Sequence, residues 1–301
     1  MKVLVSGSHG FVGSAAVSRL EAQGHGVVRL VRASGGRSRS PSRASWDPVK
    51  GSIDPAGLDG VEAVVHLAGE SVIGRWTSEK KTQIRDSRVN GTRVLAESLA
   101  RLARPPRALV CASAVGYYGD RGEERLQEDS PAGSGFLADV CREWEAATHP
   151  AVQQGIRVVN LRIGMVLSPH GGALAKMLPP FRLGLGGCLG SGRQYLSWIA
   201  LDDLVEVIAF ALTAPNLRGP VNAVAPTPVT NREFTKALGR VLGRPTLCPV
   251  PAFAARLAFG EMAQALLLAS ARVMPAALLR SGFAFRYPDL DGALRHLMGK
   301  A

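Results

Sequence analysis

The chain has 301 residues, of which 46% are hydrophobic and 20% charged, and its 36 basic and 24 acidic residues give a net charge of +12. This length and composition exclude a disordered or fibrous chain and predict one large α/β domain or two smaller ones. The four cysteines contain no Cys-x-x-Cys pair, which argues against a metal site and a disulfide framework and favours a cytoplasmic protein.

Neither a membrane nor a nucleic acid is expected as a partner. The apolar run at residues 2–6 is too short for a signal peptide, and the apolar stretch 254–279 is interrupted by Arg256, Glu261 and Arg272. The positive charge favours phosphate-bearing ligands. The arginine- and serine-rich tract 32–45 has two interpretations, a nucleic-acid contact or an exposed loop. We favour the loop, because no RNA-binding aromatic motif accompanies it.

In chain order, short β-rich runs alternate with helical segments. Strands are predicted at residues 2–7, 25–32, 60–69, 107–115 and 156–168, and helices at 9–24, 78–103 and within 132–155. This alternation predicts a Rossmann-like, doubly wound parallel sheet of the α/β class, with helices on both faces. Ligands of such sheets bind beyond the carboxyl ends of the strands, so we expect the site there.

The composition of the sequence changes after Ser168. Residues 168–200 are rich in glycine and proline and predict an irregular excursion that contributes to the substrate cleft. A strand at 219–226, a helix from 230 with a capping box, and a further strand at 244–251 should follow. We therefore expect an NADP-binding domain over residues 1–245 and a small, mostly helical, substrate-side domain over 246–301.

Three glycines follow the first strand in a Gly-x-x-Gly-x-x-Gly pattern. Gly7, Gly10 and Gly13 would permit a sharp turn, a close approach of the backbone to a diphosphate, and close packing of the helix on the strand. The start of that helix offers free N–H groups to phosphates. In this context the pattern predicts a dinucleotide site rather than a turn without a ligand.

Arg32 stands at the end of the second strand, where an NAD enzyme typically has an acidic residue. Its guanidinium suits the 2′-phosphate of NADP in charge and in bidentate geometry, with Arg37 and Arg39 close behind in sequence. The alternative is an exposed basic loop end. We favour NADP (NADPH) as the cofactor.

Several motifs together resemble the extended short-chain dehydrogenase/reductase superfamily. Residues 6–13 are similar to its glycine motif, 66–69 to its third-loop motif beside the adenine ribose, and 198–204 to its Trp-Ile-x-x-Asp-Asp segment. From "LAGE" (67–70) to "GFAFRYPDL" (282–290), the whole chain resembles the branch called "epimerase family protein", which has a small C-terminal domain of unknown function. The resemblance implies oxidoreductase or epimerase chemistry on an unknown substrate. The expected cofactor contacts are Gly7, His9, Gly10, Phe11, Val12, Gly13, Arg32, Leu67, Ala68, Gly69 and Arg162, of which Arg162 is alternatively a structural ion pair.

Extended members normally use a Ser or Thr and a Tyr-x-x-x-Lys pair on one helix face. The corresponding helix here has Phe136 followed by Val140 and Leu137 followed by Cys141, and neither pair can move a proton. The standard catalytic set is therefore absent. The substitutes are Tyr117, Ser113, Tyr118 and Glu70, although the two tyrosines could instead be structural and Glu70 could bind a ribose or loop group.

Basic and aromatic residues near the strand ends are the expected pocket walls, namely Arg75, Trp76, Arg193 and Trp198. Arg75 is the first of five cations, with Lys80, Lys81, Arg85 and Arg88, that suit a small, acidic or phosphorylated substrate, although the last three could equally form a solvated helix face. Our first hypothesis is an NADP(H)-dependent oxidoreductase or epimerase-like enzyme with altered catalytic groups. The alternative is an NADPH-binding sensor or scaffold without turnover. The sequence is compatible with a homodimer.

Overall fold

The computed structural model describes residues 1–33 and 42–300. Its largest element is an eight-stranded sheet in the order β12-β8-β6-β5-β1-β2-β3-β4, parallel throughout except for the β3–β4 pair at one edge. The strands are β1 (Lys2–Ser6), β2 (Gly26–Arg32), β3 (Arg43–Asp47), β4 (Ser52–Ile53), β5 (Ala63–His66), β6 (Ala108–Ala114), β7 (Arg125–Leu126), β8 (Arg157–Ile163), β9 (Met165–Ser168), β10 (Tyr195–Leu196), β11 (Trp198–Ala200), β12 (Gly219–Ala223), β13 (Val229–Thr230) and β14 (Arg272–Val273).

Helices cover both faces of this sheet, which confirms the predicted doubly wound α/β class. They are α1 (Phe11–Ala22), α2 (Ser78–Ala100), α3 (Phe136–Ala146), α4 (His149–Gln153), α5 (Gly172–Arg182), α6 (Leu201–Thr213), α7 (Asn231–Leu242), α8 (Ala252–Phe259), α9 (Ala276–Arg280) and α10 (Leu290–Leu297). Helices α1 and α6 enclose one core with the sheet, and α2, α3 and α4 enclose the other. The central strands are runs of Val, Leu and Ala because both of their faces are buried.

Local signals placed several element ends correctly. Helix α7 begins with the predicted capping box, in which Thr230 and Glu233 each bond the other's backbone, and ends at Gly243 with φ of +66°. The predicted fifth strand is in fact two strands, β8 and β9, separated by Gly164. A Cβ on Gly164 would lie 2.5 Å from the Ser197 carbonyl oxygen, so the chain can cross there only with glycine.

Three expectations for irregular or extended segments were wrong. The excursion 168–200 contains a regular helix, α5, with Pro179 and Pro180 inside its last turn. The strand predicted at 244–251 does not form, and only an isolated bridge joins Leu189 to Val250. Three prolines in that segment remove the N–H groups that a strand needs. The end of the arginine-rich tract is not a loop, since Arg43 begins β3.

The C-terminal segment packs against the carboxyl ends of the main strands. Strand β14 pairs with β7, and the Ser270 carbonyl accepts a hydrogen bond from the Arg121 backbone N–H at 2.8 Å. The buried carboxylate of Asp203 accepts the N–H groups of Arg286 and Tyr287 at 2.8 and 3.0 Å. This segment therefore packs on the loop after β6, on β7 and on the start of α6.

Candidate functional site

The turn between β1 and α1 is a cradle that only glycine can form. Gly7 has φ of +67°, and a Cβ on it would lie 2.7 Å from the Leu67 carbonyl carbon. A Cβ on Gly13 would lie 2.0 Å from the Gly7 carbonyl oxygen, and one on Gly10 3.1 Å from the same atom. At each of these three positions a side chain would crowd a backbone atom, so glycine is required, and the backbone between them is open to a ligand.

The first turn of α1 is available to an anion. Its N-cap is Gly10, no side chain caps the helix start, and no acidic residue lies in the first turn. The partial positive charge of the helix start and its free N–H groups are the elements of a phosphate site. His9 is exposed at this turn, while Phe11 packs against the backbone of Gly171 and Gly172. Val12 packs on the edge of the core.

A buried pair joins the glycine turn to the loop after β5. The Ser6 hydroxyl lies 2.6 Å from His66 Nδ1 and accepts the backbone N–H of Leu67 at 3.2 Å and of Ala68 at 3.4 Å. Because burial lowers the pKa of His66 to about 4, the ring is neutral. The pair therefore holds the Leu67–Gly69 loop against the glycine turn, as expected for two segments of one binding site.

Arg32 is exposed at the end of β2, on the same edge as Glu70. Lys80 Nζ lies 2.6 Å from a Glu70 carboxylate oxygen, and this hydrogen bond, together with the charges of Lys80 and Arg32, lowers the pKa of Glu70. Glu70 is therefore ionised and already paired. Arg37 and Arg39 lie outside the described residues.

At the end of β6, two of the three predicted hydroxyl groups are engaged within the protein. The Ser113 hydroxyl donates to the Glu145 carboxylate at 2.7 Å. Tyr118 is fully buried, with its oxygen 2.7 Å from Asn222 Oδ1 and 2.9 Å from the Gln127 carbonyl. Burial raises the pKa of Tyr118 to about 12. This geometry makes Tyr118 a structural residue rather than a proton donor to a substrate.

Tyr117 stacks on a buried guanidinium. The Arg162 guanidinium carbon lies 3.4 Å from the centre of the Tyr117 ring, and the N–H groups in the guanidinium plane are held by hydrogen bonds. Arg162 Nε and Nη2 donate to the two Glu145 oxygens at 2.8 and 2.9 Å, and Nη1 donates to the Tyr118 hydroxyl at 3.0 Å. Burial lowers the pKa of Arg162, but the Glu145 hydrogen bonds and charge outweigh it and raise that pKa. Within the described part of the chain, the Tyr117 hydroxyl makes no hydrogen bond.

Helix α3 lies beside this strand end, with apolar groups where the family's Tyr and Lys would stand. A Cβ on Gly116 would lie 3.3 Å from Leu137 Cβ and 3.9 Å from Cys141 Sγ. Burial raises the pKa of the Cys141 thiol to about 11, so it is not a reactive thiolate. Glu145 is one turn further along the same face and was missed as a site residue. Its spacing of four from Cys141 was the available signal.

The four expected pocket residues divide into two exposed arginines and two buried tryptophans. Arg75 and Arg193 are exposed, and neither side chain forms an ion pair among the described residues. Trp76 and Trp198 do not form open walls. The Trp76 ring packs on Phe136 at 5.2 Å and its Nε1 donates to the Val72 carbonyl, while Trp198 is wholly buried and donates to the Thr227 carbonyl.

Within residues 1–33 and 42–300, no group of three or more His, Cys, Asp or Glu side chains is arranged as metal ligands. Among the helices of the same residues, none has both the length and the apolar character that crossing a membrane requires.

Comparison with known proteins gives the same architecture. A model of the NAD dependent epimerase/dehydratase family matches residues 3–224, and a domain of unknown function, DUF1731, matches residues 250–297. The epimerase family protein Mb2239 of Mycobacterium bovis is 47% identical over 296 residues, which are 97% of this chain and 96% of that protein.

Solved structures extend the likeness. Human epimerase family protein SDR39U1, crystallised with NADPH, is 35% identical with a TM-score of 0.90 over 100% of both chains. A nucleoside-diphosphate sugar epimerase from Corynebacterium glutamicum is 40% identical with a TM-score of 0.81, covering 99% of this chain and 58% of that chain. The protein belongs to the NAD dependent epimerase/dehydratase family, on the extended short-chain dehydrogenase/reductase fold, and has a DUF1731 domain at its carboxyl end.

Proposed function

We propose that the protein binds NADPH and is an NADP(H)-dependent oxidoreductase that acts on a small anionic substrate. The observation that carries the proposal is the glycine cradle: a Cβ at Gly13 would lie 2.0 Å from the Gly7 carbonyl oxygen, and the helix start behind it is uncapped. The likeness to human SDR39U1, which was crystallised with NADPH, supports it.

The residues at this edge fit NADPH in shape and charge. The backbone from Gly7 to Gly13 and the first turn of α1 would hold the diphosphate, and the Leu67–Gly69 loop would lie beside the adenosine part. Arg32 is exposed and would pair with the 2′-phosphate, which NADH lacks. Glu70 lies at the same edge and is paired with Lys80 at 2.6 Å, so its negative charge is partly compensated there.

Tyr117 is the proposed proton donor. When bound, the nicotinamide supplies hydride chemistry. Of the four candidate groups, Ser113, Tyr118 and Glu70 are paired within the protein, whereas the Tyr117 hydroxyl has no partner among the described residues. Its ring orientation is fixed by Arg162, whose guanidinium is held in turn by both oxygens of Glu145.

The substrate side is proposed to comprise the excursion 168–200 and the segment 246–301. Ser270 and Met274 in the latter bond Asp120 and Asn222 beside the strand ends. Arg75 and Arg193 are the proposed contacts to an acidic or phosphorylated group, since both are exposed cations near this edge. The four free cysteines fit a cytoplasmic location.

A second candidate function is NADPH binding without turnover. It is favoured by the same internal pairing of Ser113, Tyr118 and Glu70, because those groups would have to leave their partners to reach a substrate. A protein of this kind would respond to the NADPH level through its shape rather than through product formation.

Turnover distinguishes the two functions. The absorbance of the reduced nicotinamide should fall when the protein meets a suitable member of a panel of anionic carbonyl compounds. Tyr117→Phe should abolish this reaction and leave NADPH affinity within about twofold, because it removes one hydroxyl and keeps the stacked ring. The matched control is Tyr287→Phe, because the Tyr287 ring stacks on the His296 ring and is not among the proposed site residues. Full activity of Tyr117→Phe would exclude Tyr117 as the donor.

Charge reversal tests the cofactor preference. Arg32→Asp should lower the affinity for NADPH by about tenfold or more relative to the affinity for NADH, since the charged hydrogen-bonded pair of Arg32 and the 2′-phosphate becomes a repulsive one. Arg43→Asp, at an exposed position of the neighbouring strand, controls for the change in net charge. Equal losses for both nucleotides would contradict the role of Arg32.

A further inference from the structure

A group of large apolar side chains projects from the surface beside the C-terminal segment. We call it the apolar ridge; its members and their exposed fractions are Leu183 (75%), Leu185 (58%), Leu247 (82%), Phe253 (71%) and Leu257 (80%).

The ridge residues belong to two stretches of the chain, 183–185 and 247–257, which are adjacent in the structure. A Cβ on Gly184 would lie 3.6 Å from the Pro245 ring, and the Val250 N–H donates to the Cys188 carbonyl at 2.8 Å. The stretch that carries Leu183 and Leu185 therefore lies next to the stretch that carries Leu247 and leads into α8.

Helix α8 contributes the part of the ridge least explained by folding. Only Ala255 of its eight residues is buried, while Phe253 and Leu257, one turn apart, face away from the protein. Phe253 and Leu257 gain nothing from the protein core, although each would be favoured by leaving water. An exposed apolar surface of this extent marks an interaction site.

The charged residues within the stretches that carry the ridge are all basic. Arg182, Arg244 and Arg256 are exposed and immediately adjoin the ridge in sequence, and residues 146–201 and 234–260 contain no Asp or Glu. The acidic residues that bound the second stretch are engaged: Glu233 caps α7 with Thr230, and Glu261 pairs with Lys81. The surface thus combines apolar side chains with uncompensated cations.

This combination selects among possible occupants. The ridge side chains project and enclose nothing, whereas small-molecule sites bury most of the ligand. A second copy would bring the same arginines against one another, and like charges disfavour such contacts. Projecting Phe and Leu among arginines match a bilayer, whose interface takes up the apolar groups while anionic head groups take up the cations.

We propose that the apolar ridge is a peripheral contact site for an anionic lipid bilayer. Phe253 and Leu257 enter the interfacial layer, and Arg182, Arg244 and Arg256 lie among the head groups. This contact needs no spanning helix, and it departs from the sequence-based expectation of no membrane partner. It does not depend on NADPH binding.

Vesicle co-sedimentation tests the proposal. The full chain should bind vesicles of phosphatidylcholine with phosphatidylserine and not vesicles of phosphatidylcholine alone. Phe253→Ser with Leu257→Ser should lower the partition coefficient by about tenfold or more. Arg182→Glu with Arg244→Glu should lower the partition coefficient to a similar extent, and high salt should weaken vesicle binding by the wild type. The control, Val49→Ser with Leu279→Ser, changes two exposed apolar residues elsewhere and should bind as the wild type does.

Each other outcome overturns the proposal. Absence of binding to the anionic vesicles would reject the bilayer as occupant, as would equal binding to both vesicle types. Equal loss in the control variant would show that the ridge is not the contact. A stable dimer by analytical ultracentrifugation that Phe253→Ser with Leu257→Ser dissociates would assign the ridge to a second copy instead. NADPH affinity, measured on the same samples, should not change in any variant.

Discussion

Replacing Glu145 by alanine would leave the Arg162 guanidinium in the interior without its counter-ion. Only 3% of the Arg162 side chain and 13% of the Glu145 side chain are exposed. The carboxylate accepts two hydrogen bonds from Arg162 and one from Ser113, between 2.7 and 2.9 Å. Breaking a buried pair by removing one partner costs about 3–5 kcal/mol, because a buried charge is left without compensation.

The assay is urea unfolding at neutral pH, from which the free energy of unfolding is obtained for each variant. Glu143→Ala is the matched control, since Glu143 lies on the same helix and pairs with Arg85 at the surface, where 42% and 45% of the two side chains are exposed. An exposed pair contributes about 1 kcal/mol or less. Glu145→Ala should therefore be several times more destabilising than Glu143→Ala.

A double-mutant cycle separates the pair from general packing. Arg162→Met combined with Glu145→Ala should be less destabilising than the sum of the two single changes, because the double variant buries no unpaired charge. The reasoning is refuted if Glu145→Ala costs about as little as Glu143→Ala, or if the two changes are additive. Additivity would mean that Arg162 finds water or another partner, and that Tyr117 is not positioned through it.

Two further predictions concern the nucleotide edge. Gly13→Ala should abolish NADPH binding, because its Cβ would lie 2.0 Å from the Gly7 carbonyl oxygen. The control Gly26→Ala, whose Cβ would have no atom nearer than 4.0 Å, should bind NADPH normally. Calorimetry measures both affinities, and NADPH binding by Gly13→Ala would contradict the assignment of the glycine turn to the dinucleotide. The contribution of His66 to the free energy of unfolding should fall by about 2–3 kcal/mol between pH 7 and pH 4.5, since burial lowers the pKa of His66 to about 4 and protons bind the unfolded chain first. His66→Gln should lack this part of the pH dependence, and an unchanged dependence in urea unfolding would contradict it.

The sheet and the glycine turn could be predicted from sequence because both are encoded locally. Strands such as β5 and β6 are short apolar runs, and the spacing of Gly7, Gly10 and Gly13 shows the turn without knowledge of the rest. In a parallel sheet the strand ends meet at one edge, so Ser113 and Glu70 could be placed near that edge in advance. The match to the family confirms that architecture.

The pairing of side chains at the site could not be predicted, because it depends on contacts between distant elements. Glu145 on α3 meets Arg162 on β8, and Asn222 on β12 meets Tyr118, and no periodicity within one element shows either pair. Trp198 is buried although its segment is rich in glycine, since packing against α7 and α10 overrides local composition. The prolines of α5 misled in the same way, because a helix tolerates them where tertiary packing stabilises its last turn.

Calorimetric titration of nucleotide-free protein with NADPH tests the central claim most directly. The account predicts one NADPH bound per chain, with NADH bound more weakly because it lacks the phosphate that Arg32 would hold. Absence of any measurable NADPH binding by folded protein would contradict the account, because the glycine turn and Arg32 would then have no dinucleotide to hold.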